Sequence, residues 1–356
     1  MHMADGLISP AVGAAMWAAT AATGALSLKT IAARHDVHRL PLMGVAGAFV
    51  FAAQMINFSI PGTGSSGHLG GGLMLAALLG PQAGFLVMAT ILGVQALFFA
   101  DGGLLAYGCN VYNLGFFTCF VAYPLIFKPL VRRSSGTGSL AAASLAAAVV
   151  GLQLGAFSVV VETLLSGRTE LPFGTFALMM LPVHLAIGVV EGLVTGAVLV
   201  ATHRVRPEVL EGPLGDRPSQ GRPLTPVLLG GILLTLVAGG LLSWFASSKP
   251  DGLEWSIARI SGRDALEAGS RVHDTLATLQ EWTAILPDYS PRVAGAAPAT
   301  DVITSAESGE PAAAWPSVSA GTSLSGVLGA LMVFAFVAVA GLLARVFRKQ
   351  RKGADS

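Results

Sequence analysis

The chain begins Met1-His2, and a further histidine, His68, lies in the glycine-rich stretch PGTGSSGHLGGG. These residue types at these positions suit one chemistry. The free amine of Met1, the backbone nitrogen of His2 and the His2 ring nitrogen nearer the backbone can all reach one metal ion. Amine and amide close a five-membered chelate ring; amide and imidazole close a six-membered one. Displacing the amide proton sets three nitrogens nearly in a plane. A fourth nitrogen completes a square, and His68 is the candidate. Square-planar nitrogen coordination suits nickel(II) or copper(II). Methionine ahead of a bulky histidine is expected to escape aminopeptidase trimming, so Met1 is expected to be retained.

Three further residues are candidates for positioning this set. Asp5 follows the chelate by three residues and either orients the His2 ring or caps the first helix. Gln54 and Asn57 lie one turn apart at the end of an apolar run and are expected to hydrogen-bond the His68 loop. Other polar residues inside apolar runs are Gln95, Asn110, Asn113, Gln153, Glu162, His184 and Glu191. Each alone is expected to hydrogen-bond between helices. Cys109 and Cys119 share one apolar run and read as small buried residues. They form neither a disulfide framework nor a CxxC pair.

The elements that must position these residues are membrane helices. Of 356 residues, 53% are hydrophobic and only 12% charged, against roughly a quarter charged in soluble domains. Apolar runs cover about 8–28, 41–58, 69–80, 83–100, 104–127, 138–165 and 174–202. Basic clusters at 29–39, 128–133 and 203–222 all fall on the side that this count makes cytoplasmic. The amino terminus is then external, as are the loops that carry His68 and the ADGG stretch. No basic residue precedes the first run, so it does not read as a cleaved signal.

Residues 204–223 are polar and proline-rich and read as a cytoplasmic linker. Behind them come runs at about 225–246 and 324–344, flanking an external segment 247–322. Apolar residues have helical spacing around 253–285, whereas 291–322 is rich in Ala, Ser, Pro and Gly. The basic tail 347–356 is expected inside. The expected fold is an all-α polytopic membrane protein: a seven-span domain over 1–203, then a two-span hairpin over 224–346 with an external segment.

Enzyme signatures are missing. Neither GTGSSGHL nor SGTGSLAA has the Gly-Lys-Ser/Thr ending of a phosphate-binding loop. There is no HExxH and no GxSxG. The net charge of +1 and the lack of a dense basic block point away from nucleic acid.

The stretches MHMADGLISPAVGAAMWAAT, PLMGVAGAFVFAAQMINFSIPGTGSSGHLGGG, ALFFADGGLLAYGCNVYNLGFF and YPLIFKP resemble the CbiM/NikM family. These are the substrate-binding membrane subunits of energy-coupling-factor transporters for cobalt and nickel. KPDGLEWSIAR, residues 249–259, resembles the PDGLE domain, related to the N subunit that accompanies such transporters. The resemblance implies metal binding through the Met1 amine, the His2 amide and ring, and His68. Where the family usually has Ile-Pro after Met-His, this chain has Met3-Ala4; neither position is a ligand. The resemblance also implies separate partners, a transmembrane coupling subunit and ATP-binding cassette subunits, in a bacterial or archaeal cell membrane. The expected function is a multi-pass transporter subunit, not an enzyme and without a resident cofactor. It captures nickel(II) or cobalt(II), the latter for corrinoid synthesis, and delivers it inward. Two alternatives stay open: a metal channel or passive carrier that needs no ATPase, and a structural scaffold in which His2 and His68 never meet.

Overall fold

The computed structural model describes residues 1–34, 40–133, 136–214, 224–263, 269–291 and 318–354, with positions 266 and 316. The described chain is mostly helical. It runs through α1 (Pro10–Arg34), α2 (Leu40–Gln54), α3 (Gly72–Leu79), α4 (Pro81–Phe98), α5 (Tyr107–Val111), a π-wound stretch Tyr112–Phe127 and α6 (Lys128–Arg133). There follow α7 (Thr137–Leu165), α8 (Phe173–Val205), α9 (Glu208–Leu214), α10 (Thr225–Gly240), α11 (Gly252–Ser261), α12 (Arg271–Thr283) and α13 (Ala320–Ala354).

Among the described residues, six helical segments are long and apolar enough to cross a membrane. They are Pro10–Ala33, Pro81–Phe98, Tyr107–Arg133, Thr137–Leu165, Phe173–Val205 and Ala320–Leu342. Two apolar helices are shorter, Leu40–Gln54 and Thr225–Gly240. Large apolar side chains such as Leu165, Leu178, Leu193, Leu233 and Leu331 point outward. Such a surface suits hydrocarbon; in water it would aggregate. The chain is a multi-pass membrane protein.

The expected third span has a different form. Helix α3 has only eight residues, all buried. At 1.5 Å per residue it is about 12 Å long, too short to cross about 30 Å of hydrocarbon. It lodges inside the bundle and packs closely on α4. The run 69–80 is interrupted by Gly70–Gly72 at one end and Gly80-Pro81 at the other, and Gly71 and Gly80 both take positive φ. Hydropathy alone does not separate such a half-length helix from a span.

The expected linker 204–223 is also more ordered than its composition suggests. Its first part forms α9, which buries Val209, Leu210 and Leu214, and the Leu214 carbonyl accepts from the Arg132 guanidinium at 2.6 Å. The rest, 215–223, lies outside the described residues. So do 292–315, most of the Ala/Ser/Pro/Gly-rich stretch, and the side chains of the basic tail. The helical spacing over 253–285 resolves into two helices, α11 and α12.

The last two apolar helices, α10 and α13, pack on α2. Small residues allow the approach: a side chain at Gly326 would meet the backbone of Gly239, and one at Gly44 would meet Phe334. This is the small-residue packing of helices in lipid.

Candidate functional site

The amino-terminal segment is a buried plug. Met1, Met3, Leu7 and Ile8 are all in the core, which removes apolar surface from water. Polar contacts fix its depth. Asn110 clasps the Met3 backbone both ways: its Oδ1 accepts from Met3 N–H at 2.7 Å, and its Nδ2 donates to the Met3 carbonyl at 3.1 Å. Gly103 N–H donates to the same carbonyl at 2.9 Å. His2 is thereby held between two anchored neighbours.

The second arm is the loop between α2 and α3. A two-residue hairpin pairs Phe58–Ser59 with Ser66–Gly67, and His68 follows directly. The loop is tied down on two sides. Gln54 Nε2 donates to the Gly70 carbonyl at 2.8 Å, and Gln95 supports Gln54 at 2.9 Å. From α8, the Glu191 carboxylate accepts from Gly70 N–H at 2.7 Å and Gly71 N–H at 3.1 Å. Gly67 is required here: a Cβ would stand 2.4 Å from Ile187.

These two arms bring His2 and His68 together. Their rings stack with centroids 4.9 Å apart and planes 6° from parallel. His68 Nδ1 is 3.0 Å from the Leu69 carbonyl, so Nδ1 carries the proton and Nε2 keeps its lone pair. Burial, then the nearby terminal amine and His2, lower the His68 pKa to about 3. A neutral imidazole with a free Nε2 is the form that binds a metal.

Two carboxylates that sequence reasoning missed complete the site. Asp101 Oδ1 lies 3.1 Å from His2 Nδ1. Burial pushes the Asp101 pKa up, but the hydrogen bonds to the His2 ring and the Tyr289 hydroxyl outweigh it and hold it at about 2. Asp251 Oδ2 pairs with the Met1 amine at 3.3 Å. Among the described residues no three His, Cys, Asp or Glu side chains are arranged to hold a metal ion.

Asp251 arrives by a local device. In PDGLE, residues 250–254, Asp251 is the N-cap of α11: its Oδ1 accepts from Leu253 and Glu254 N–H, each at 2.8 Å. Glu254 Oε2 accepts from Asp251 N–H at 2.9 Å in return. This is a capping box. The same turn pairs with the His68 loop, where Ser66 N–H donates to the Pro250 carbonyl at 2.8 Å. Helix α12 covers the amino-terminal plug. His273 Nε2 faces the carbonyls of Asp5 and Ile8 at 3.1 and 2.9 Å. Gln280 donates to the Gly102 carbonyl at 2.7 Å.

The positioning candidates separate. Gln54 does hydrogen-bond the His68 loop. Asn57 offers its carbonyl to Ser247 N–H at 2.8 Å, which ties down the chain between α10 and α11. Asp5 neither orients His2 nor caps α1. Its carboxylate accepts from Ala106 N–H at 3.0 Å, and Ser9 Oγ accepts from Val12 N–H in the first turn of α1. The 3-10 turn Asp5–Leu7 directs Asp5 away from the ring. Asp101 holds the ring instead. No signal inside ADGG distinguishes this role from an ordinary turn aspartate. For Asp251 the D-x-x-E spacing does predict the cap, though not the amine.

Beside the site is a small cavity, about 10 Å³ of space for a water-sized sphere, lined by Met1, His68, His184 and Asp251 among others. That volume admits one small particle.

Comparison with known proteins gives the family. The CbiM model, described as cobalt uptake substrate-specific transmembrane region, matches residues 2–209. The PDGLE domain matches 225–346. The chain is 31% identical over 324 residues to a fused nickel transport protein, NikMN, of Rhodobacter capsulatus, covering 84% of this chain and 91% of that one. It is 31% identical over 217 residues to the cobalt transport protein CbiM of Sorangium cellulosum, covering 59% and 95%. A crystal structure titled as a transition metal transporter superposes with a TM-score of 0.51 at 28% identity, covering 58% of this chain and 93% of that one. The chain thus belongs to the CbiM family, with a PDGLE domain fused behind its metal-uptake region.

Proposed function

We propose that this chain is the ion-capturing membrane subunit of an importer for nickel(II) or cobalt(II). The observation that carries the reading is the convergence of the Met1 amine, His2 and His68 at one buried point, with His68 Nε2 left as a lone pair. Met1 supplies its amine, His2 its amide and Nδ1, and His68 its Nε2. Coordination requires the His2 ring to turn Nδ1 away from Asp101; the carboxylate then suits the Nε2–H.

Charge bookkeeping supports the site. The ammonium of Met1 carries one positive charge opposite Asp251. A divalent ion bound to a deprotonated amide also presents one net positive charge. Asp251 therefore faces the same net charge before and after capture, while two protons leave.

The amino terminus faces outward in this account, and the basic loops and tail face the cytoplasm. A bare divalent ion cannot cross about 30 Å of hydrocarbon unaided, so capture alone does not move it. Separate coupling and ATP-binding cassette subunits drive release inward. The test is uptake of radioactive nickel and cobalt by cells expressing the chain with and without those partners. Uptake that needs the partners and is lost in His2→Ala supports the reading. Full uptake without any ATPase partner overturns the energised mechanism and leaves a passive carrier.

A further inference from the structure

His184 is a buried imidazole that the capture site does not use. It is 1% exposed, in a helix whose outer face meets lipid. Its Nδ1 lies 2.8 Å from the Met180 carbonyl of its own helix, so Nδ1 carries the proton and Nε2 the lone pair. Nε2 is buried with no hydrogen-bond partner among the described residues. A buried acceptor without a donor is left with its desolvation uncompensated. A ring held in this tautomer beside a cavity is arranged to receive a cation or a donor.

The surroundings favour a cation. His184 lines the small cavity together with Met1, His68 and Asp251. The Asp251-Gly252 turn packs on its ring: a Cβ at Gly252 would lie 3.3 Å from His184 Cε1 and 2.5 Å from Val183. The order along α8 shows which contact comes first. Gly252 meets Val183 and His184, Gly67 meets Ile187, and Gly70 meets Glu191. At 1.5 Å per residue, His184 lies about 10 Å from Glu191 along the axis, on the side of the PDGLE turn. Asp251 and His184 thus stand on the PDGLE side of a cavity that His68 also lines.

We propose that Asp251 and His184 form an entry site for the divalent ion, one carboxylate oxygen and one imidazole nitrogen beside the amino terminus. The inference rests on the capture reading above and adds a step to it. Forming the chelate requires the amine and the amide to lose protons. An ion anchored beside them stays at high local concentration while those protons leave. Asp251 Oδ1 remains with the α11 cap; Oδ2, released by the amine, takes the ion.

The test uses the full chain with four residues added ahead of Met1, which removes the amine from chelate reach. Cobalt(II) is titrated into this protein and followed by visible absorption. The expected result is one weak cobalt equivalent. Its affinity falls at least about tenfold, the lower end of what supporting residues of metal sites cost, in both His184→Gln and Asp251→Asn. These variants lie on different elements, so a shared loss is not a local folding defect of α8. Absence of cobalt binding in the extended protein, or undiminished binding in His184→Gln, overturns the entry site. A second readout uses the native start. Stopped-flow mixing with nickel(II) should show the capture band rising about tenfold more slowly in His184→Gln, whereas a wild-type rate contradicts the proposal. If the native-start protein forms no nickel band at all, the capture reading itself fails, whatever cobalt does in the extended protein.

Discussion

The carboxylate of Asp251 meets the terminal amine of Met1 at 3.3 Å, joining residues 250 positions apart. The amino terminus is thus held by the N-cap residue of α11, inside the PDGLE match. Asp251 has two jobs, and substitution separates them. Asp251→Ser keeps a side-chain oxygen to cap α11, whereas Asp251→Ala removes both cap and charge. Hydrogen exchange should show α11 amides weakened by about 1 kcal/mol in the alanine variant and much less in the serine variant. Equal loss in both would contradict the capping role.

Extension of the amino terminus by four residues should abolish nickel capture by the native ligand set. The chelate needs the Met1 amine within one residue of the His2 ring. Uptake assays and nickel titration both read this, and full capture by the extended protein would remove the amine from the account.

Asp101→Asn tests how the His2 ring is held. Loss of the carboxylate that faces the ring should weaken nickel binding about 10- to 100-fold without deleting a ligand. Asp5→Asn, whose parent carboxylate faces Ala106 N–H, should leave nickel affinity closer to wild type. Competitive titration against a chelator ranks the two, and the reverse order would refute the assignment.

Capture should strengthen as pH rises. His68 has its pKa lowered to about 3 by burial and then by the amine and His2. A depressed histidine pKa means the neutral ring is already present at ordinary pH, so His68 releases no proton there. The protons displaced by the ion then come from the amine and the amide, about two per ion. Proton release measured with an indicator dye in weak buffer counts them. A count near zero would contradict amide coordination.

Glu191→Gln should loosen the His68 loop from behind. The carboxylate accepts from both Gly70 and Gly71, and the amide would turn a donor toward one of them. A cost of about 1–3 kcal/mol is expected, read as lower thermal stability together with weaker nickel binding. An unchanged melting temperature would show that the pair of hydrogen bonds is dispensable.

Much of this site was legible in the residues themselves. A histidine directly behind Met1 and a histidine in a glycine-rich loop carry their chemistry locally, and Gln54 is near enough in sequence to be linked to that loop. The carboxylate partners were not legible. Asp101 stands in a turn whose local sequence explains only the turn, the D-x-x-E spacing at Asp251 explains only the α11 cap, and the tertiary fold alone brings both to the amino terminus. Asp5 was misread for the converse reason: closeness in sequence to His2 does not survive the 3-10 turn that follows. Asn110 looked like a helix–helix contact and instead fixes the depth of the plug. The half-length α3 was hidden because an apolar run buried in protein has the same composition as one that crosses lipid.

The most direct test is an optical titration of the purified protein, with its native Met1, by nickel(II). The account predicts a yellow, diamagnetic one-to-one complex that is lost in His2→Ala and in His68→Ala. A nickel complex that persists without His68, or the absence of any square-planar spectrum in the intact protein, would contradict the four-nitrogen capture site.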